Sequence, residues 1–453
     1  MKEATHDGGW LVLLTCTLSF AVTAHTLAEE PSSPRFRVPD TIVAGEALSI
    51  RLEGLTPESR VRIQSERIAG WRQKRPHRAT VWVQADATGN INLSEQAPVS
   101  GTESSYQGVE PLGLLWSMTP REEESVEVSS KPMNVVTFTA TAQDGQRLAI
   151  CEMKIQSRAE DVTEEPLDHP ELEGSFVMMR RPSEVPLPVI ITLGGSEGGD
   201  TSARRTAPLL ASLGFAVVGV PYYSPAYGDG EPDFKTLPRT FTEIPLDRLE
   251  LVLNAIEEHP QLDVSRVALH GVSKGGEFVL AAASRLDRFK AVVAIVPSDV
   301  IWEGWGSARK TSSFSFQGEP LPFVPYKGMQ ETIAKLSKGE RVSIRVPHDA
   351  GRAASPERVP AAMIEVEKIK CPLMVVGGDK DQTWDSGGMC RNIVERRETA
   401  GLDTEAWIGP DAGHYLAGHA FDPMSFATKD ASFRTKTYPA MVRFLQEHLQ
   451  ADK

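Results

Sequence analysis

From Phe36 to about Ser157 the chain alternates apolar and polar residues in short runs, broken at regular intervals by Gly, Pro, Asp and Asn. The runs are Thr41–Val43, Leu48–Leu52, Val61–Gln64, Thr80–Val83, Asn90–Leu93, Val135–Thr141 and Arg147–Ile155. Alternation with a period of two turns one face of each strand to a core and the other to water. With turn residues at this spacing it predicts an antiparallel sandwich of about seven strands, of the immunoglobulin type. The acidic, Pro-containing stretch from Glu160 to Glu173 reads as a linker.

Beyond it the period changes. Continuous apolar runs at Pro188–Leu193, Ala216–Val220, Val267–His270, Ala291–Val296, Leu373–Val376 and Ala406–Ile408 suit strands buried on both faces. Leu246–Glu258 and Gly275–Ser284 carry helical periodicity. Strands alternating with helices imply an α/β fold, a mostly parallel sheet with helices on both faces. The stretch from Ile301 to about Ala361 is rich in Gly, Ser, Pro and Lys and lies between two predicted strands. An insertion there reads as a lid or binding loop, or as a plain surface excursion.

The amino terminus departs from both patterns. Trp10 to Ala24 is almost wholly apolar and gives way to Glu29, Glu30 and a Pro/Ser-rich run, which reads as a secretory signal peptide cut after Ala24 or Ala28. The segment is short for a membrane span, so no stable span is expected after its removal. The expectation is a periplasmic or extracellular protein, or a cytoplasmic one if the segment is not a signal. The expected organisation is a signal peptide over 1–28, a sandwich domain over 35–158 and a catalytic domain over 174–450 carrying the insertion at 301–361.

With 453 residues the chain has material for two cores, and its 40% hydrophobic and 24% charged fractions are those of a globular protein. A net charge of -13 leaves no basic footprint for nucleic acid. Without Cys16, which lies in the apolar segment, three cysteines remain: Cys151, Cys371 and Cys390. Their spacing suggests no zinc site, so no metal or other cofactor is expected, and at most one disulfide. No pattern specifies an oligomeric state.

The chemistry concentrates in three places. V-A-L-H-G-V-S-K-G-G-E-F-V-L at Val267–Leu280 is a strand, a G-x-S-x-G turn and a helix. Such a turn lifts the Ser273 hydroxyl above the sheet edge, with Gly271 and Gly275 small enough for strand and helix to approach. A serine nucleophile needs a base and a carboxylate to orient that base, following in the order Ser, Asp, His. Gly377–Asp381, G-G-D-K-D, ends an apolar strand and offers Asp379 and Asp381; Asp381 is preferred because it lies past the tight turn. In W-I-G-P-D-A-G-H-Y-L at Trp407–Leu416, His414 follows the last strand, with His419 as competitor. His270 sits on the elbow strand as a support. The oxyanion donors are expected at the backbone N–H of Lys274, next to the nucleophile, and of Gly195 in the L-G-G-S-E-G-G loop, Leu193–Gly199. That loop lacks the G-K-[ST] ending of a phosphate cradle.

With these residues in view the chain resembles the acyl-CoA thioesterase and bile acid-CoA:amino acid N-acyltransferase family, whose catalytic domain is dienelactone-hydrolase-like. I-R-L-E-G-L at Ile50 and G-T-E-S-S-Y-Q-G-V-E-P-L-G-L-L-W-S-M at Gly101–Met118 are similar to the family's front-domain segments. H-G-V-S-K-G-G at His270, E-V-E-K-I-K-C-P at Glu365, G-G-D-K-D-Q-T-W at Gly377 and G-H-Y at Gly413 are similar to its rear-domain signatures. The resemblance implies an α/β-hydrolase preceded by an immunoglobulin-like domain, with Ser273, Asp381 and His414 as catalytic residues. It implies acyl-CoA thioesters as substrates. Members that conjugate amino acids carry Cys as nucleophile, so Ser273 points to thioester hydrolysis ahead of N-acyl transfer. An export signal would instead favour a carboxylic ester, and a carboxylesterase of the same mechanism.

Overall fold

The computed structural model describes residues 33–70, 74–121, 132–181, 183, 185–226, 230–420 and 428–449. The signal peptide expected over 1–28 lies outside the described residues. No helix among them is long and apolar enough to cross a membrane.

The amino-terminal part contains β1 (Arg35–Arg37), β2 (Thr41–Val43), β3 (Arg51–Glu53), β4 (Arg60–Ala69), β5 (Arg75–Gln84), β6 (Ile91–Asn92), the one-turn helix α1 (Gly113–Trp116), β7 (Thr119–Pro120), β8 (Val135–Ala142) and β9 (Arg147–Gln156). They form a six-stranded sheet, β2-β9-β8-β4-β5-β7, and a three-stranded sheet, β1-β3-β6. Each of the seven runs expected from the alternation carries a strand. β4 and β5 show why, since Val61, Ile63, Val81 and Val83 are buried while the residues between them face outward. Both sheets turn their apolar faces into one cluster that includes Ile50, Leu52, Ile63, Val81, Ile91 and Phe138.

The rest of the chain builds an eight-stranded sheet and a small three-stranded one from Ile244–Pro245, Phe314–Phe316 and Glu319–Pro320; Glu160–Glu173, expected to be a linker, sends the first strand into the larger. β10 (Val162–Pro166) pairs antiparallel with β11 (Phe176–Arg180) at the sheet edge. Its acidic composition belongs to an edge strand whose Glu164 and Glu165 meet Arg204 and Arg181. There follow β12 (Leu187–Leu193), α2 (Thr201–Ala211), β13 (Ala216–Gly219), the short β14 (Ile244–Pro245), α3 (Arg248–Glu258), β15 (Leu262–Val272), α4 (Lys274–Ala283) and β16 (Ala291–Ile295). After β16 come β17 (Phe314–Phe316), β18 (Glu319–Pro320), α5 (Met329–Ser337), α6 (Arg345–Ala354) and α7 (Val359–Ala362). The sheet closes with β19 (Leu373–Gly378), α8 (Ser386–Thr399) and β20 (Glu405–Gly409), and α9 (Thr428–Leu449) ends the described chain.

The strand order is β10-β11-β13-β12-β15-β16-β19-β20, and every pairing from β13 to β20 is parallel. All six expected buried strands lie in this parallel block. The arrangement is an α/β-hydrolase sheet, with the G-x-S-x-G turn joining its fifth strand, β15, to α4.

The insertion after β16 is anchored at several points, unlike a plain surface excursion. Trp302, Phe314 and Val324 are fully buried in it. Arg352 on α6 forks onto Asp299 at 2.6 and 2.9 Å, and Arg345 N–H donates to the Gln382 carbonyl at 2.8 Å. These contacts fasten it to the loops that follow β16 and β19.

Candidate active site

β15 turns apolar and buried from Val267 to Leu269, continues through His270 and Gly271 to Val272, and the chain must reverse there to start α4. It does so at Ser273, which adopts φ 57 and ψ -118, a conformation that costs a non-glycine residue on the order of 1–3 kcal/mol. Neighbouring glycines allow the turn. A side chain at Gly271 would strike the Gly275 carbonyl, and one at Gly275 would strike the Gly194 carbonyl. The Ser273 N–H donates to the Ile295 carbonyl at 2.9 Å, which fixes the turn on the sheet.

Three side chains distant in sequence meet over this turn. His414 Nε2 lies 2.9 Å from Ser273 Oγ, and His414 Nδ1 lies 2.8 Å from Asp381 Oδ2. Asp381 is fully buried, and its other oxygen accepts the Thr383 N–H at 2.8 Å and the Trp384 N–H at 3.4 Å. Burial alone would raise its carboxyl; the hydrogen bond and charge of His414, with Ser386 and Thr383, outweigh it and hold it below the ordinary carboxylate range. A carboxylate there favours the tautomer with the proton on Nδ1 and leaves Nε2 to accept from Ser273.

The alternatives take other places. Asp379 is spent on a two-pronged pair with Arg391, both contacts at 2.8 Å. His419 is buried beside Tyr438, its ring 6.4 Å away. His270 lies on the elbow strand with Nδ1 2.9 Å from Thr192 Oγ1, and burial lowers its pKa to about 4.

Of the two expected oxyanion donors, Lys274 is the first residue of α4, where a helix has no intrahelical acceptor for its N–H. Gly195 stands beside Ser273, but its N–H donates to Glu197 Oε1 at 3.0 Å. The Lys274 side chain runs away from the site into a fully buried network. Its ammonium meets Glu277 Oε2 at 2.7 Å and Ser313 Oγ at 2.9 Å, within 5.0–5.9 Å of the rings of Phe241, Trp305 and Phe314. Glu277 Oε1 accepts the Trp302 N–H at 3.1 Å, so the network ties the elbow helix to the insertion. Burial lowers the lysine and raises the glutamate against their mutual attraction.

Several residues escape sequence reasoning. Asp430, 2% exposed, accepts the N–H groups on either side of His414, from Gly413 at 2.5 Å and Tyr415 at 3.1 Å. Arg434, one turn further along α9, donates to the carbonyls of Tyr415 and His419. Trp384 packs edge-on 5.6 Å from His414, and His348 of the insertion lies 5.5 Å behind it. Trp384 had an advance signal in the G-G-D-K-D-Q-T-W segment and Asp430 in the acidic first turn of the last helix; the others had none. No group of three or more His, Cys, Asp or Glu among the described residues is arranged to hold a metal, and Cys151, Cys371 and Cys390 are free thiols.

Residues 45–169 match the family described as Acyl-CoA thioester hydrolase/BAAT N-terminal region, and residues 244–451 match BAAT / Acyl-CoA thioester hydrolase C terminal. The mitochondrial acyl-coenzyme A thioesterase 2 of Mus musculus is 30% identical over 382 residues, covering 82% of this chain and 76% of that enzyme. The chain belongs to the acyl-CoA thioester hydrolase/BAAT family. Other relatives of this BAAT-family chain are the mitochondrial acyl-coenzyme A thioesterase 2 of Rattus norvegicus, 29% identical over 88% of this chain and 80% of that enzyme, and acyl-coenzyme A thioesterase 1 of Mus musculus, 29% identical over 82% of each. Among solved structures, brefeldin A esterase, a bacterial homologue of human hormone sensitive lipase, is 19% identical with a TM-score of 0.41 over 66% of this chain and 80% of that one. That likeness is too slight to argue from, and the fold of this family member rests on its own strand order.

Proposed function

We propose that this chain is an acyl-CoA thioester hydrolase working through an acyl-serine intermediate, with Ser273 as nucleophile, His414 as base and acid, and Asp381 as the group that orients His414. The observation that carries the reading is the imidazole of His414, within 2.9 Å of Ser273 Oγ and 2.8 Å of Asp381 Oδ2. Family membership supplies the substrate class. His414 Nε2 takes the proton as Ser273 Oγ bonds to the thioester carbonyl carbon, and the carbonyl electron pair moves onto oxygen. The N–H groups of Lys274 and Gly195 receive that oxygen, each donor worth roughly 10²- to 10³-fold in rate. Collapse breaks the carbon–sulfur bond, and the thiolate leaves with the proton from His414. Water, deprotonated by His414, then attacks the acyl-serine; the products are a carboxylic acid and the regenerated hydroxyl.

The test is turnover of acyl-CoAs of graded chain length by the wild type and by Ser273→Ala. The variant should lose at least about 10⁴-fold, as removal of a triad nucleophile does. Retention of most of the activity would remove Ser273 from the mechanism.

One observation favours a second reading. The apolar segment Trp10–Ala24, read as a secretory signal, would carry the chain away from the intracellular coenzyme A pool. In that case the substrate is a carboxylic ester outside the cytosol, cleaved by the same residues. Aryl esters beside the acyl-CoAs separate the two, and sequencing the amino terminus of the native protein decides whether the segment is removed. Transfer to an amine acceptor ranks below both, because Ser273 stands where the conjugating members carry Cys; it requires product with glycine or taurine.

A further inference from the structure

The loop Gly194–Gly199 holds a single ionisable residue, Glu197, and its side chain folds back onto the loop. Glu197 Oε1 accepts the Gly195 N–H at 3.0 Å. The other side of the same peptide is also held, because the Tyr222 hydroxyl shares its one proton between the Gly194 carbonyl at 2.8 Å and the next carbonyl, of Gly195, at 3.0 Å. A trans peptide points its carbonyl and its N–H in opposite directions. Tyr222 therefore fixes the direction in which the Gly195 N–H points, and a carboxylate oxygen already stands there.

Space tells the same story. A Cβ at Gly194 would lie 2.6 Å from Glu197 Oε1, and one at Gly195 would lie 2.8 Å from Oε2 and 3.3 Å from Ser273 Cβ. The two glycines thus leave room that the carboxylate fills, and that room adjoins the nucleophile. An anionic oxygen on this donor is what a tetrahedral intermediate would present.

We propose that Glu197 is a specificity-determining residue of the acyl site: its carboxylate holds the place of the acyl oxygen on the Gly195 N–H, yields it to an incoming carbonyl, and selects neutral acyl groups over anionic ones. The inference rests on the reading of Ser273 as nucleophile. Displacement has an energetic consequence, because only the fraction of molecules with the donor vacant can react, and the apparent rate falls by that fraction. The displaced carboxylate stays on the same short loop, where it repels an acyl chain carrying its own carboxylate near the carbonyl.

Two measurements on the full chain test this with Glu197→Gln, which keeps the shape without the charge, and Glu197→Ala, which empties the place. The first is the rate at which a neutral alkyl fluorophosphonate labels Ser273, since its phosphoryl oxygen needs the same donor. Glu197→Ala should label about fivefold faster than wild type, the gain expected when a largely occupied donor is vacated. The second is the ratio of kcat/KM for 4-nitrophenyl butyrate to that for 4-nitrophenyl hydrogen succinate. It should fall about tenfold in Glu197→Gln, the size of effect expected from removing one like charge at close range. Labelling no faster than wild type, or a ratio within twofold of wild type, overturns the proposal and leaves the nucleophile standing. Failure of the wild type to label at Ser273 at all overturns the nucleophile and this inference together.

Discussion

The carboxylate of Asp430 accepts the Gly413 N–H at 2.5 Å, and the Tyr415 N–H at 3.1 Å completes a clamp on the backbone either side of His414. The group never touches Ser273 or Asp381, yet it sets where the imidazole hangs. A catalytic group displaced by about 1 Å can cost on the order of 10²-fold in rate. Asp430→Ala should lower kcat by about 10- to 100-fold with KM little changed, while Asp430→Asn, which keeps one acceptor, should recover part of the loss. Steady-state kinetics on any turned-over ester or thioester checks this, and a change confined to KM would speak against the clamp.

Asp381 is buried and carries two backbone N–H bonds as well as His414. Asp381→Asn keeps the volume but can present an N–H to Nδ1, which favours the wrong tautomer; kcat should drop by about 10⁴-fold with the fold intact. Activity within tenfold of wild type would exclude Asp381 as the orienting acid.

The Lys274–Glu277 pair is a test of stability. Removing one partner strands a buried charge, so Glu277→Leu should destabilise by roughly 3–5 kcal/mol. The double change Lys274→Met/Glu277→Leu should be less damaging than that single one, because an apolar pair of similar size needs no compensation. Denaturant midpoints for Glu277→Leu, Lys274→Met and the double variant provide the comparison; strict additivity would mean that the two side chains do not interact.

Acid should loosen the molecule through two histidines as well as through carboxylates. Burial lowers His270 and His348 to about 4, against about 6.5 for an unfolded histidine. The unfolded chain therefore binds more protons in between, and the contribution is full above about pH 6.5 and lost as pH falls toward 4. Each histidine accounts for up to about 3 kcal/mol of that loss. The depressed carboxyl of Asp381 acts in the same direction at lower pH, its share present above the unfolded carboxylate pKa and lost as pH falls through the folded value. Urea midpoints at pH 7 and pH 5 should differ markedly, and replacing His348 by Phe should narrow the difference.

Much of the architecture could be read from periodicity. Val189, Ile190 and Ile191 form an uninterrupted apolar run because both faces of a parallel strand are covered, and such a run has no other comfortable place. Val162–Pro166 could not be recognised, because an edge strand exposes Thr163 and Glu164 and looks like a charged connection. The elbow was legible because close backbone approach at Gly271 and Gly275 demands small residues, and the three candidates Ser273, Asp381 and His414 lie within hydrogen-bond reach of one another. Asp430, His348 and Glu197 were not, because what matters in each is the backbone group or ring it reaches across the fold, and spacing carries no trace of that.

The last helix ties distant parts of the molecule together. Asp430 near its start grips the His414 loop, while Tyr438 in its middle lies where a Cβ on Gly45, at the edge of the amino-terminal sandwich, would come within 2.6 Å of its hydroxyl. Met441, Phe444 and Leu445 share a core with Ile50 and Leu114 of that sandwich. The front half thereby serves as a foundation for the histidine, so cutting the chain between its two halves would strip the scaffold from one flank of α9 and slacken the grip at its far end. Excision of the rear half as a free-standing catalyst would need a redesigned helix surface before any change near the serine was worth making.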